Sequence, residues 1–152
     1  MSGVEEVGEG DPTWVAEENA RRKAVAVPGD LVLGADTDVA LDGDILGKPA
    51  DAAQAAAFLR RLSGRTHLVV GGIALARDGE VVATAVETTE VSFRTLDPPT
   101  LDRYVRSGEW EGRAGGYAIQ GAGATLVASI RGDYLNVVGL PLARLLELLR
   151  TV

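Results

Sequence analysis

The sequence predicts a mixed α/β fold in which helices flank a sheet built from antiparallel hairpins, and three observations carry that expectation. Apolar runs are joined by Asp42-Gly43, Asp78-Gly79 and Gly132-Asp133, pairs suited to tight turns because both residue types tolerate positive φ. Between the hairpins, apolar residues recur at helical spacing, as at Ala55, Phe58, Leu59 and Leu62, the pattern of a helix with one buried face. The resulting order is helix, hairpin, helix, long hairpin, helix, glycine loop, hairpin, helix. It lacks the strict strand–helix alternation of a doubly wound nucleotide fold.

The elements follow from local chemistry. Residues 1–10 form an acidic, glycine-rich lead-in with Glu5, Glu6 and Glu9, the composition of a solvated terminus. Asp11-Pro12 then reads as an N-cap followed by proline at the first helical position, and the helix runs to about Val27, where Pro28-Gly29 stops it. Leu31-Val32-Leu33 reads as a buried strand that delivers Gly34-Ala35-Asp36-Thr37 just past its end, a usual place for chemistry in open α/β sheets. Val39-Ala40-Leu41 leads into the Asp42-Gly43 turn. The return through Ile45-Leu46 brings Gly47-Lys48-Pro49 back toward the strand that carries Asp36. An acid and a lysine therefore approach each other within one short segment.

Asp51 caps a second helix with Gln54 at the reciprocal capping-box position, and Gly64 ends it. Thr66–Ala76 and Val81–Phe93 form the long hairpin around Asp78-Gly79. Within it, Glu87 and Glu90 point to opposite faces and make no paired-carboxylate site. His67, the only histidine, opens a strand and reads as structural. Asp97-Pro98 starts a third helix, ended by Gly108. The stretch from Glu111 to Gly123 is dense in glycine, which suggests close backbone approach to something, and Tyr117 and Ile119, which seek burial, count against a mobile surface loop; it lacks the spacing of a Walker loop or a dinucleotide fingerprint. Thr125–Ile130 and Tyr134–Val138 read as a further hairpin, and Pro141–Leu149 as a closing amphipathic helix.

Composition narrows the function. With 152 residues, 46% hydrophobic and 24% charged, the chain fits a single globular domain over residues 1–152. No apolar run approaches the length of a membrane span and no leader opens the chain, so a cytoplasmic protein without membrane contact is expected. The net charge of −7, without a basic block, argues against nucleic-acid binding but leaves room for a small phosphorylated ligand. The chain contains no cysteine, which excludes thiol catalysis, and one histidine makes a structural zinc site unfavourable. Thirteen of the fifteen basic residues are arginine, leaving Lys23 and Lys48. One reading is that lysine is kept where a compact, flexible ammonium is needed. Codon bias with two survivors is the equal alternative, and Lys23 also suits a helix C-terminus.

Six ordered segments spread along the chain resemble the Maf family of nucleoside triphosphate pyrophosphatases. They are Gly34-Ala35-Asp36-Thr37, Ile45-Leu46-Gly47-Lys48-Pro49, Leu62-Ser63-Gly64-Arg65-Thr66-His67, Glu87-Thr88-Thr89-Glu90-Val91, Ala114-Gly115-Gly116-Tyr117-Ala118-Ile119-Gln120-Gly121 and Val138-Gly139-Leu140-Pro141-Leu142. The resemblance implies a Maf/ITPase-like fold with a central cleft. It also implies hydrolysis of the α–β phosphoanhydride of (d)NTPs to a monophosphate and pyrophosphate, with a divalent cation, Mg²⁺ or Mn²⁺, as cofactor.

By the same resemblance Asp36 is the proton acceptor and Lys48 a phosphate-binding lysine, while Lys23 is a second site lysine. Glu6 is a glutamate serving metal or water, so Glu6 and Asp36 are the expected metal ligands. Thr37, Gln120 and Arg113 fall to substrate binding, with Gln120 in the base-recognition region and Thr37 marking the dTTP/UTP branch. The implied partners are a nucleoside triphosphate and a second copy of the chain in a homodimer. Departures accompany the match. The chain begins at a point matching the segment that follows the family's opening strand, Ser-Pro-Arg-Arg turn and helix, so an N-terminally truncated domain is expected. Arg113 stands for a lysine, Asp38 for an apolar residue and Gly71-Gly72 for Thr-Gly. The competing expectation is a catalytically weakened nucleotide-binding or cell-division regulatory protein.

Overall fold

A computed structural model describes residues 4–152. These form one five-stranded sheet of order β2-β1-β3-β4-β5, all of whose pairings are antiparallel. The strands are β1 (Val32–Leu41), β2 (Asp44–Leu46), β3 (Thr66–Arg77), β4 (Glu80–Phe93) and β5 (Val127–Arg131). The helices are α1 (Pro12–Val25), α2 (Ala52–Leu62), α3 (Pro98–Arg106), α4 (Tyr134–Val138) and α5 (Leu142–Leu149). Both Asp-Gly turns adopt positive φ at each residue: 52° and 84° at Asp42-Gly43, 51° and 81° at Asp78-Gly79. This turn matches the twist of the strands it joins. The helix starts also follow the sequence, with Asp11, Asp51 and Asp97 accepting from Thr13, Gln54 and Thr100 N–H. Gln54 reaches one residue further back than a capping box requires, accepting the Ala50 N–H at 2.7 Å.

Helix α1 lies on one face of the sheet, and its approach is set by small residues. Ala16, Ala20 and Ala24 are fully buried against Gly34 and Gly72, where an added Cβ would fall on the Ala20 and Ala16 carbonyl oxygens. The opposite face carries the main core, in which Val39, Val69, Val91 and Phe93 pack with Leu59, Leu62, Tyr104, Tyr117 and Leu126.

Two local expectations are corrected. The strand bearing Asp36 does not end at Leu33 but continues through Asp36 to Leu41. Gly34 is there for contact with α1 and does not break the strand. Residues Tyr134–Val138 are a helical turn, α4, and not a strand. Asp133 caps it by accepting the Leu135 N–H at 2.8 Å. Asn136, fully buried, donates to Val69 O, Glu87 O and Thr89 Oγ1 at 3.1–3.2 Å, tying the turn to the sheet.

His67 is structural in its packing. It is 1% exposed, its Nε2 lies 2.6 Å from the Tyr117 hydroxyl, and Phe93 meets it edge to face. Burial pushes its pKa down to about 4. Between that value and the ordinary 6.5 the unfolded chain binds the extra proton, so stability rises with pH across this window. The neutral ring's contribution, up to about 3 kcal/mol, is complete above 6.5 and lost as pH falls toward 4. Urea unfolding at pH 7.5 and 4.5 is expected to show a smaller loss in His67→Gln than in the native chain. Equal losses would contradict this assignment.

Candidate active site

The site wraps the open edge of β1. Strand β2 pairs only with Val39–Leu41, so among the described residues the segment from Val32 to Asp38 has a strand on one side alone. Gly34, Asp36 and Asp38 alternate onto the α1 face, and the close approach at Gly34 and Gly72 brings Lys23 and Asn19 of α1 down to Asp36.

Lys23 Nζ donates to Asp36 Oδ1 at 3.1 Å and to the Ala35 carbonyl at 3.3 Å, and it pairs with Glu6 Oε1 at 2.8 Å. The Asp36 side chain is 9% exposed, against 26% for Lys23 and 41% for Glu6, so the buried carboxylate is the inner member of the cluster. Burial works against the Lys23 ammonium, but Glu6 and Asp36 outweigh it and hold Lys23 above the ordinary lysine range. The hydrogen bond from Lys23, opposed by burial and helped by the charges of Lys23 and Lys48, holds Glu6 below its usual value.

Asn19, which the sequence did not single out, organises this end of the site. It is 2% exposed and holds Val7 like a strand partner, accepting the Val7 N–H at 2.7 Å and donating to the Val7 carbonyl at 2.9 Å. Its amide also reaches Asp36 Oδ2 at 3.5 Å. The acidic lead-in is thereby docked, which puts Glu6 on Lys23. An asparagine on an amphipathic helix carries no sequence mark of such a role.

On the other side of the edge opens a cavity of ≈ 480 Å³ lined by Lys23, Asp36, Thr37, Lys48, Arg113 and Gln120, with Tyr117 and Ile119 among its apolar walls. Thus six of the seven residues expected at the site share one cavity. Glu6 does not line it and reaches it through Lys23 and Asp36. Thr37 Oγ1 donates to the Gly139 carbonyl at 3.4 Å. Glu109 also lines the cavity, again without a sequence signal. Chemically, the arrangement offers a carboxylate able to accept a proton, cations able to hold phosphates, and an amide able to read a base edge.

Asp38 departs from this economy. Burial, then the hydrogen bond and charge of Asp36, push its carboxyl up to about 8. Its Oδ2 is buried without a hydrogen-bond partner among the described residues. Leaving such a group unsatisfied costs about 1–3 kcal/mol, and valine suits a half-buried strand position. Asp38→Val is therefore expected to raise the unfolding free energy measured by urea titration at neutral pH by that order, an expectation that an unchanged or lower value would refute.

Two of these donors suit a divalent cation. Glu6 and Asp36 converge on one ammonium and offer only oxygen, while among the described residues no group of three or more His, Cys, Asp or Glu is placed to hold a metal. Two carboxylates suit Mg²⁺, which takes few protein ligands and fills its shell from phosphates and water.

Comparison with known proteins gives a consistent answer. The model of the Maf family, described as Maf-like protein, matches residues 2–152. The dTTP/UTP pyrophosphatase of Symbiobacterium thermophilum is 51% identical over 142 residues, covering 91% of this chain and 73% of that protein. The dTTP/UTP pyrophosphatase of Pyrococcus furiosus is 44% identical over 149 residues, covering 95% and 78%. That of Thermus thermophilus is 49% identical over 150 residues, covering 98% and 80%.

Proposed function

This chain belongs to the Maf family, and from that premise we propose that it is a nucleoside triphosphate pyrophosphatase. It hydrolyses the α–β phosphoanhydride of (d)NTPs to a monophosphate and pyrophosphate, with dTTP and UTP as its preferred substrates. The observation that carries this reading is the single cavity in which a nearly buried carboxylate, Asp36, lies among Lys23, Lys48, Arg113, Thr37 and Gln120.

Each residue has a part that follows from its chemistry. The triphosphate enters as a multiply charged anion, and Lys48 and Arg113 neutralise it at the cavity wall. Asp36 orients the attacking water and accepts its proton as the α–β bond breaks, the charge on the departing pyrophosphate being met by the same cations. Lys23 holds the Asp36 carboxylate in place through its 3.1 Å bond and adds a further positive charge. Glu6 and Asp36 would hold Mg²⁺ or Mn²⁺. When bound, that ion supplies charge neutralisation of the phosphates as a Lewis acid. Thr37 and Gln120 meet the base and sugar end of the substrate, and Gln120 pairs with the edge of uracil or thymine.

The same reading takes residues 1–152 as one Maf-like domain of a cytoplasmic homodimer whose ligand is a nucleoside triphosphate. Among the described residues no helix is long and apolar enough to cross a membrane. A substrate panel tests the proposal. With Mg²⁺ or Mn²⁺, UTP and dTTP are expected to exceed ATP and GTP in kcat/KM by at least about a hundredfold, within the 10⁴–10⁵ that a site built on hydrogen bonds reaches. EDTA is expected to remove turnover, and restored Mg²⁺ to return it. Equal rates for all bases would refute the base preference, and undiminished turnover in EDTA would refute the cation.

A further inference from the structure

The glycine-rich loop that carries Gln120 is suspended from two side chains of the segment before it. Glu109 follows α3 and lines the cavity. Its Oε1 accepts the Gly123 N–H at 2.9 Å and the Tyr104 hydroxyl at 3.1 Å, while Oε2 accepts the Ala122 N–H at 3.1 Å. The Tyr104 hydroxyl, from a side chain 3% exposed, in turn accepts the Ala118 N–H at 3.0 Å. Three backbone N–H groups on either side of Gln120 therefore converge on one carboxylate–phenol pair. The loop closes tightly around it. Gly121 has φ of 67°, and a Cβ there would lie 2.7 Å from Glu109 Oε2. At Gly123 a Cβ would fall on the Ala118 carbonyl oxygen. Tyr117 and Ile119, each 5% exposed, fix the chain before Gln120 in the core, while Gln120 itself stands exposed at the cavity wall.

We infer that Glu109 is a positioning residue for base selection: its carboxylate sets the conformation of residues 118–123 and so aims the Gln120 amide at the nucleobase. The role is particular to a carboxylate. Glu109 receives three donors and has none to offer. An isosteric amide would turn an NH₂ group toward at least one of those N–H or O–H donors, and the loop must shift to relieve it.

This inference rests on the pyrophosphatase reading, and the experiment separates the two. UTP and CTP kinetics, with thermal melts, are compared for the native chain, Glu109→Gln, Gln120→Ala and the double variant. In Glu109→Gln the expected result is a UTP KM raised about tenfold, the worth of one good hydrogen bond at 1.4 kcal/mol per decade, with kcat within about threefold. The preference for UTP over CTP is expected to fall by a similar factor. Because Glu109 acts through Gln120, the double variant is expected to lose no more than Gln120→Ala alone. Losses that add in the double variant, or a fall in kcat with KM and base preference intact, would overturn the inference while leaving the pyrophosphatase reading standing. A native chain that hydrolyses neither nucleotide would overturn both.

Discussion

Asp36→Asn is expected to lower kcat for UTP hydrolysis by about 10²–10⁴-fold, the usual contribution of a positioned general base, while leaving the melting temperature nearly unchanged. Asparagine matches the carboxylate in shape and can still accept the Lys23 hydrogen bond that now spans 3.1 Å. What it lacks is the basicity to take a proton from water. Glu6 remains on Lys23 at 2.8 Å, so the ammonium keeps an anionic partner, and the donor left facing the new NH₂ group is the Asn19 amide, whose 3.5 Å contact is too long for its loss to loosen the fold. The check is initial-rate pyrophosphate release beside a thermal melt of the same preparation. Turnover near the native rate would place the proton acceptor elsewhere. A collapsed melt would mean that the carboxylate is there for stability.

The second large effect is expected at Gly72, the cross-strand neighbour of Asp36, which has no side chain to touch the substrate. Gly72→Ala puts a Cβ onto the Ala16 carbonyl oxygen and within 2.9 Å of the Glu17 nitrogen. Both are backbone atoms of α1, so no side-chain rotation relieves the overlap and the helix must lift from the sheet. Overpacking of this kind costs about 1–3 kcal/mol, which for a chain of this size lowers Tm by roughly 2–4 °C per kcal/mol. Activity is expected to fall as well, because Asn19 and Lys23 ride on the same helix and would be drawn away from Asp36. Gly8→Ala, where nothing lies within 4 Å of the added carbon, is the neutral control. A Gly72→Ala protein as stable and active as that control would show that the contact between α1 and the sheet does not position the site.

The sequence exposed those features whose cause is local. The caps at Asp11, Asp51 and Asp97 and the turns at Asp42-Gly43 and Asp78-Gly79 depend on the residues beside them and appear where expected. The scarcity of lysine left a site role and codon bias as equal readings of Lys23 and Lys48, and both residues line the cavity. The extent of β1 was less legible. Gly34 interrupts an apolar run in the sequence, while in the fold it is the place where α1 rests. Residues Tyr134–Val138 have the aromatic and β-branched character of a strand, yet the Asp133 cap and the burial of Asn136 fold them into a helical turn. Asn19 and Glu109 were invisible for a further reason. Their partners, Val7, Asp36, Ala122 and Gly123, lie 12 to 17 residues away, and only tertiary docking joins them. A buried amide or a bracing carboxylate has no spacing that marks it in advance.

If the α–β anhydride opens in this cavity with Asp36 taking the proton from water, the products and the rate of the Asp36→Asn chain both report it. Phosphorus NMR of UTP incubated with the chain and Mg²⁺ reads both at once, because cleavage at either anhydride leaves different products. The expected products are UMP and pyrophosphate in equal amounts, formed about 10²–10⁴-fold more slowly by the Asp36→Asn chain. UDP with inorganic phosphate, or UMP and pyrophosphate formed as fast by the Asp36→Asn chain, would contradict it.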